Sequence, residues 1–263
     1  ITEGNLVRLE IFQETSDVAP ANENVGDVDA VGPSINKRLL RNTVVAYLDS
    51  DRTGVAVDGL GFDTDRLATV DRVHLVACGT SWHACLVAKF LIEHLVRLPV
   101  DVDYASEFAY RDPILDPAAL VVGISQSGET ADTLAAIREA RRKGALLLGL
   151  VNVVGSTIAR ESSGGVYIHA GPEIGVASTK AFTSQVTILT LIANLLGRMR
   201  NLSVQGGQEL LSGLEKIPEQ IEKILEGEQA VKDIASAYYN SNNFLYLARG
   251  INYPVALKGA LKL

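Results

Sequence analysis

With 263 residues, 47% hydrophobic and 21% charged, the chain can build one large domain, or one complete domain and part of another. A formal net charge of −7 argues against broad electrostatic binding to nucleic acid or to an anionic membrane surface. No apolar run is long enough to span a bilayer, the first residues lack the basic-then-apolar order of a secretory signal, and Cys78 and Cys85 have no metal-ligand spacing. The expectation is a cytoplasmic protein without a metal or cofactor.

Residues 1–45 hold a short apolar run at 6–12 and then a stretch rich in Asp, Asn, Gly and Pro, read as a linker or the remnant of a preceding domain. A helix is predicted over 35–49, where Leu39, Leu40, Val44, Val45 and Leu48 recur at helical spacing. From Val73 the texture alternates. Apolar runs at 73–78, 100–104, 119–124, 146–151 and 166–169 predict five buried strands. Helices are predicted over 82–97, 129–143 and 179–198, with a short one starting at Ser156. This spacing implies an α/β domain over 46–200, three layers in αβα order around a five-stranded parallel sheet. Right-handed crossovers then put every strand-to-helix turn at one edge, where ligands bind in open α/β sheets.

Residues 201–241 read as a helical connection, with charged helices at 209–214, 218–226 and 231–239. A buried strand is predicted at 244–248 and a helix from Tyr253. Val76-Ala77-Cys78-Gly79 superposes on Leu247-Ala248-Arg249-Gly250, and Leu86 on Leu257. Residues 242–263 are therefore expected to start a second copy of the domain, cut off at Leu263.

The strongest chemical signal is Ile124-Ser125-Gln126-Ser127-Gly128-Glu129-Thr130. An apolar strand runs into hydroxyls, an amide and a glycine, and a helix opens. Such a turn aims unpaired backbone N–H groups, hydroxyl donors and the positive end of a helix dipole at one point, a natural anion site. Gly128 would let the backbone approach the anion. In the plainer reading Ser125 or Ser127 only caps the helix. Cys78-Gly79-Thr80-Ser81 is the equivalent turn after the first strand; Thr80 and Ser81 would face sugar hydroxyls or phosphate, or Ser81 would simply cap. Cys78 reads as a small buried hydrophobe rather than a nucleophile. In the irregular stretch 171–180, Glu173 is a possible hydroxyl acceptor and Lys180 a possible ligand contact; in the plainer reading Ser178 or Thr179 only caps the next helix and Lys180 is solvated. His74, His83, His94 and His169 form no metal set. Lys258 and Lys262, four apart, read on their own as a solvated stripe.

Residues 78–81, 125–130 and 171–180, with 102–108, 151–157 and 253–263, together resemble the SIS (sugar isomerase) domains of isomerising glutamine–fructose-6-phosphate aminotransferases, the glucosamine-6-phosphate synthases. The resemblance implies an SIS fold in which Ser125, Gln126, Ser127 and Thr130 hold a sugar phosphate, with Gly128 in the same loop. It also implies that Cys78, Gly79, Thr80, Ser81, Val176, Ala177 and Ser178 border the sugar, and that Lys262 lies near the reacting carbons. Lys258 stands where a glutamate is expected in many relatives. The implied reaction converts fructose 6-phosphate and glutamine-derived ammonia to glucosamine 6-phosphate, with a carboxylate moving a proton between C1 and C2. It further implies a homodimer and a glutaminase domain in a longer parent chain, with the proton-transferring glutamate, ring-opening histidine and Schiff-base lysine beyond Leu263, so that this piece is inactive alone. The competing reading is a non-catalytic sugar-phosphate-sensing regulator, which a DNA-binding helix-turn-helix before Val73 would favour. A single-domain phosphosugar isomerase is a third reading, against which the repeat near Asn242 speaks.

Overall fold

Five parallel strands form one sheet in the computed structural model, which describes residues 54–55 and 64–263. The expected linker over 1–45 and the helix over 35–49 lie outside the described residues. The strands are β1 (Arg72–Ala77), β2 (Val100–Tyr104), β3 (Ala119–Ser125), β4 (Leu146–Val151) and β5 (Gly164–Tyr167), in the order β2-β1-β3-β4-β5. The helices are α1 (Thr64–Ala68), α2 (Gly79–Leu95), α3 (Ala105–Tyr110), α4 (Ala131–Arg142), α5 (Thr157–Glu161), α6 (Lys180–Arg198), α7 (Val204–Glu226), α8 (Glu228–Tyr238) and α9 (Tyr253–Lys262).

The sheet is covered on both faces, which is why β3 and β4 are apolar or glycine at nearly every position and buried throughout. Side-chain alternation divides the core in two. Leu75, Val122, Ile124 and Leu150 pack with Ala88 and Ile92 of α2 and Ile188 of α6 on one face. Val76, Val121, Leu147 and Val151 pack with Phe108 of α3, Ile137 of α4 and Ile158 of α5 on the other. Phe108 is fully buried, and truncating such a ring to alanine costs about 3–5 kcal/mol.

The strand order positions the site. The chain leaves β1 into α2 on one face and leaves β3 into α4 on the other, although β1 and β3 are paired neighbours. Their outgoing loops diverge, opening a crevice at the carboxyl ends of the strands. This is the topological switch point of a doubly wound sheet.

Most predicted elements form within a few residues of the expected bounds; the differences have physical reasons. The expected break at Pro218 does not occur: α7 runs continuously through it. Its buried stripe, Leu211, Leu214 and Pro218, outweighs one missing backbone hydrogen bond. Residues 105–110, for which the sequence predicts no element, form α3 because Phe108 needs cover. The buried strand expected at 244–248 does not form. Leu245 and Leu247 are 83% and 80% exposed, and among the described residues no strand pairs with them to complete a ladder. The turn itself does recur. Cys78 and Arg249 are extended, Gly79 and Gly250 have φ of +57° and +60°, and helical structure follows each.

Edge strand β2 places Asp101 and Asp103 against Arg72 and Arg111, and these four charges surround His74. The His74 ring is 3% exposed, sits edge-on to Phe108, and neither ring nitrogen has a hydrogen-bond partner. Burial pushes its pKa down; Asp101 and Asp103 oppose this, and Arg72 and Arg111 add to it. The unfolded chain therefore takes up a proton at this histidine before the fold does. The stabilising contribution is whole above the ordinary histidine pKa and is lost as pH falls through it. His83, also lowered chiefly by burial, acts in the same direction. Replacing His74 with leucine is expected to shrink the fall in unfolding midpoint between about pH 7.5 and 5.5; an unchanged pH dependence in calorimetry would contradict this.

Candidate functional site

Three segments meet where β1 and β3 end. Residues 78–81, 124–130 and 173–178 enclose an open cleft of about 370 Å³, in the range of small-molecule sites. Its lining includes Cys78, Gly79, Thr80, Ser81, Ser125, Gln126, Ser127, Thr130, Glu173, Val176 and Ser178. Gly128 and Ala177 are not among the lining residues. Lys180, the first residue of α6, and Lys262, exposed at the end of α9, do not line it.

The loop after β3 holds itself in shape. The Gly128 amide donates to Ser125 Oγ at 3.0 Å, and the Glu129 amide donates to Ser127 Oγ at 3.1 Å. Ser125 Oγ lies 2.8 Å from Thr130 Oγ1 and 3.4 Å from Ser127 Oγ. One lone pair of each serine is taken up by a backbone N–H, and the contacts among Ser125, Ser127 and Thr130 use hydroxyl protons within the cluster, which leaves at least one hydroxyl proton for a ligand. Neither serine caps α4. Its N-cap is Thr130, without a side-chain cap, and the same holds for Cys78 before α2. By contrast, α7 is capped by Ser203, whose Oγ accepts from the Gly206 amide. The first-turn amides of α2 and α4 are thus free of side-chain caps, and two helix dipoles present their positive ends to the switch-point crevice. Among the described residues, no lysine or arginine lines the cleft.

Glu173, expected as a sugar-hydroxyl acceptor, lines the cleft with one of its two carboxylate oxygens already engaged. Its Oε2 accepts from the amides of Thr179 and Ala181 at 3.2 and 3.1 Å, so it caps α6 from the preceding loop. That carboxylate already occupies the α6 terminus, leaving α2 and α4 as the ends open to an anion.

The scaffold behind the loop is equally specific. The Ile158 amide donates to the Gly128 carbonyl and the Asn152 amide to the Gln126 carbonyl. Glu129 Oε1 accepts from the Thr157 amide at 2.7 Å, capping α5 and holding its own carboxyl below the usual range. Gly128 has φ +68°, and a Cβ there would sit 2.0 Å from Ser156 Oγ. This glycine is needed for its backbone conformation and its close approach to Ser156, rather than to make room for a ligand. Asn152 bridges the ends of β4 and β5 through the Ala170 amide and the Gly171 carbonyl. Thr80 Oγ1 and Ser178 Oγ, 2.8 Å apart, tie two walls of the cleft together. Gln185, fully buried on α6, donates to Ser81 Oγ at 2.9 Å.

Titratable groups near the cleft are restrained. Burial, followed by the Asp132 charge, pushes the Cys78 thiol up, so it stays protonated. Lys258 is not part of a solvated stripe. It is 8% exposed, with its ammonium 4.6 Å from the centre of the Phe182 ring. Burial and then Lys262 lower its pKa, against Glu173. The sequence conceals this because four-residue spacing reports which face of a helix a lysine occupies, not what that face meets. Sequence reasoning misses Gln185 and Asn152 as well. A lone amide in an apolar helix is the only signal of the first, and nothing local marks the second.

A family model described as the SIS domain matches residues 66–195. The chain is a member of the SIS-domain family. It is 53% identical over 225 residues to the glutamine–fructose-6-phosphate aminotransferase (isomerizing) of Chlorobaculum tepidum, covering 86% of this chain and 37% of that protein. It is 46% identical over 226 residues to a protein of the same name from Thermus thermophilus, again covering 86% of this chain and 37% of that one. The SIS chain thus spans about a third of the length of these relatives. Among solved structures it matches the C-terminal domain of glucosamine-fructose-6-phosphate aminotransferase from Francisella tularensis, with a TM-score of 0.82 and 33% identity, covering 88% of this chain and 65% of that one. The α/β architecture with its five-stranded parallel sheet is the SIS fold.

The Gly128–Ser156 contact makes the loop of this SIS domain sensitive to one methyl group. Gly128→Ala is expected to cost about 1–3 kcal/mol in urea unfolding. Adding Ser156→Gly should restore the part due to the clash but not the part due to φ. Full stability in Gly128→Ala alone would contradict the geometry.

Proposed function

We propose that this chain is the phosphosugar-holding part of an isomerising glutamine–fructose-6-phosphate aminotransferase, within a longer parent protein that makes glucosamine 6-phosphate from fructose 6-phosphate and glutamine-derived ammonia. The observation that carries the proposal is the serine loop after β3. Its serine oxygens accept from backbone amides, which gathers three hydroxyls at the open end of the uncapped α4 with at least one proton left for a ligand. In this reading Ser125, Gln126, Ser127 and Thr130 receive the phosphate, with Gly128 setting the loop's shape. Thr80, Ser81, Val176 and Ser178 border the sugar, and Cys78, Gly79 and Ala177 supply the backbone around them. The relatives' names and the level of identity over most of the chain support the choice of substrate.

The cleft is suited to holding rather than to proton transfer. Glu173 is engaged by two amides, the Cys78 thiol stays protonated, and Lys262 lies outside the lining. The carboxylate that moves the proton is therefore assigned to the remainder of the parent chain. The parent is read as a cytoplasmic homodimer carrying a glutaminase domain, and residues 242–263 as the start of its second SIS domain, supported by the recurrence of the extended–glycine–helix turn at Gly250.

Each hydrogen bond to the charged phosphate is worth about 1.5–3 kcal/mol, or roughly 10- to 150-fold in affinity. Ser127→Ala with Thr130→Ala should weaken calorimetric binding of glucosamine 6-phosphate by about two orders of magnitude or more, while the unfolding midpoint stays close to that of the parent sequence. Unchanged binding in the folded double variant would reject the assignment.

A further inference from the structure

The cleft wall formed by the first turn of α2 is controlled by a residue that does not touch the cleft. Ser81 lines the site, yet its hydroxyl is oriented from behind by Gln185 on α6, the neighbouring helix of the same layer. Gln185 is fully buried, in a stretch of α6 that also buries Ser184, Thr187 and Thr190. Its Nε2 donates to Ser81 Oγ at 2.9 Å. Its Oε1 is buried and accepts nothing. The two neighbouring threonines satisfy their hydroxyls within α6, on the carbonyls of Thr183 and Val186. Gln185 instead directs its side-chain hydrogen bond outside its helix.

Two features distinguish this arrangement from ordinary packing. First, a buried carbonyl without a donor lowers the stability of the fold, so a glutamine here is a poor choice for the core alone. Second, the direction of the bond matters. An amide N–H can only donate, so Ser81 Oγ is held as an acceptor. Among the described residues no acceptor for the Ser81 proton is present, and the residue lies on the cleft surface. The hydroxyl is left with its proton to give to whatever enters. The Gly128 and Glu129 amides likewise donate to Ser125 and Ser127 across the cleft.

We infer that Gln185 is a positioning residue for the phosphosugar, fixing Ser81 as a hydrogen-bond donor to an oxygen of the ligand. The inference rests on the proposed phosphosugar reading of the cleft. Both walls of the crevice then share one device: a nitrogen donor behind each serine engages its oxygen. On the β3 side the nitrogen belongs to the backbone; on the β1 side, where Ser81 is already inside α2, it comes from a side chain on a different helix.

The test is a double-mutant cycle read by calorimetric titration with glucosamine 6-phosphate, on the full 263-residue chain. Gln185→Met keeps the volume and removes both the donor and the unpaired carbonyl. It is expected to weaken binding about tenfold, the size of one hydrogen bond to a ligand, while leaving the unfolding midpoint equal or higher. Ser81→Ala should weaken binding by a similar factor, and the double variant should be no weaker than Ser81→Ala alone. Gln185→Leu repeats the measurement with a different apolar shape, so that a packing fault in one variant is not mistaken for loss of the contact. The inference is overturned by unchanged affinity in both Gln185 variants, by losses that multiply in the double variant, or by unfolding of both, which would make Gln185 a structural residue. If the unsubstituted chain binds but Ser81→Ala and Gln185→Met do not matter, the inference fails and the phosphosugar reading survives. If the unsubstituted chain does not bind the ester at all, both fail together.

Discussion

The divergence of two neighbouring strands' outgoing chains is the constraint on which the rest of this structure depends. β1 and β3 pair along their length, yet α2 and α4 must cover opposite faces of the sheet. The backbone between them has to part, and it parts at the ends where both helices begin. Neither helix brings its own side-chain cap. A fold built only for stability would cap these termini, as α7 does with Ser203 and as Glu129 and Glu173 do for α5 and α6.

From that opening the chemistry of the cleft follows without a cation in its described lining. Donors are supplied by helix termini and by hydroxyls whose oxygens are already engaged. Such a site favours an anion through its donors alone, and a site without a fixed cation releases a phosphate ester more readily than one that closes a salt bridge over it. Rigidity comes from the layer behind: Gly128 against Ser156, Glu129 across to α5, Asn152 spanning two strand ends, and Gln185 behind Ser81. None of these requires a ligand to form, so little ordering is left to be done on binding.

Much of this is legible in the sequence. The strands are readable because a parallel sheet buried on both faces leaves short apolar runs with little alternation, as at 146–151. The serine loop is readable because hydroxyls and glycine between such a run and a helix have few other uses. What stays hidden are interactions between segments distant in the chain. That Glu173 also serves as a cap is hidden, since the amides it serves lie six and eight residues on from it. Lys258 reads as solvated and is tucked over Phe182. The apolar run at 244–248 meets the local rule for a strand, but a strand is a property of a pair. Local backbone geometry at Gly250 does repeat that at Gly79, because a left-handed turn needs only its own residues.

Hydrogen exchange of the backbone amides along the chain, those of residues 79–82 and 126–133 above all, measured with and without glucosamine 6-phosphate, addresses the central claim most directly. The expected result is slowed exchange confined to the loop after β3, the first turn of α4 and the first turn of α2, with the sheet and α7 unchanged. Binding with no change at these amides, or protection appearing only at a surface remote from the switch-point crevice, would contradict the account.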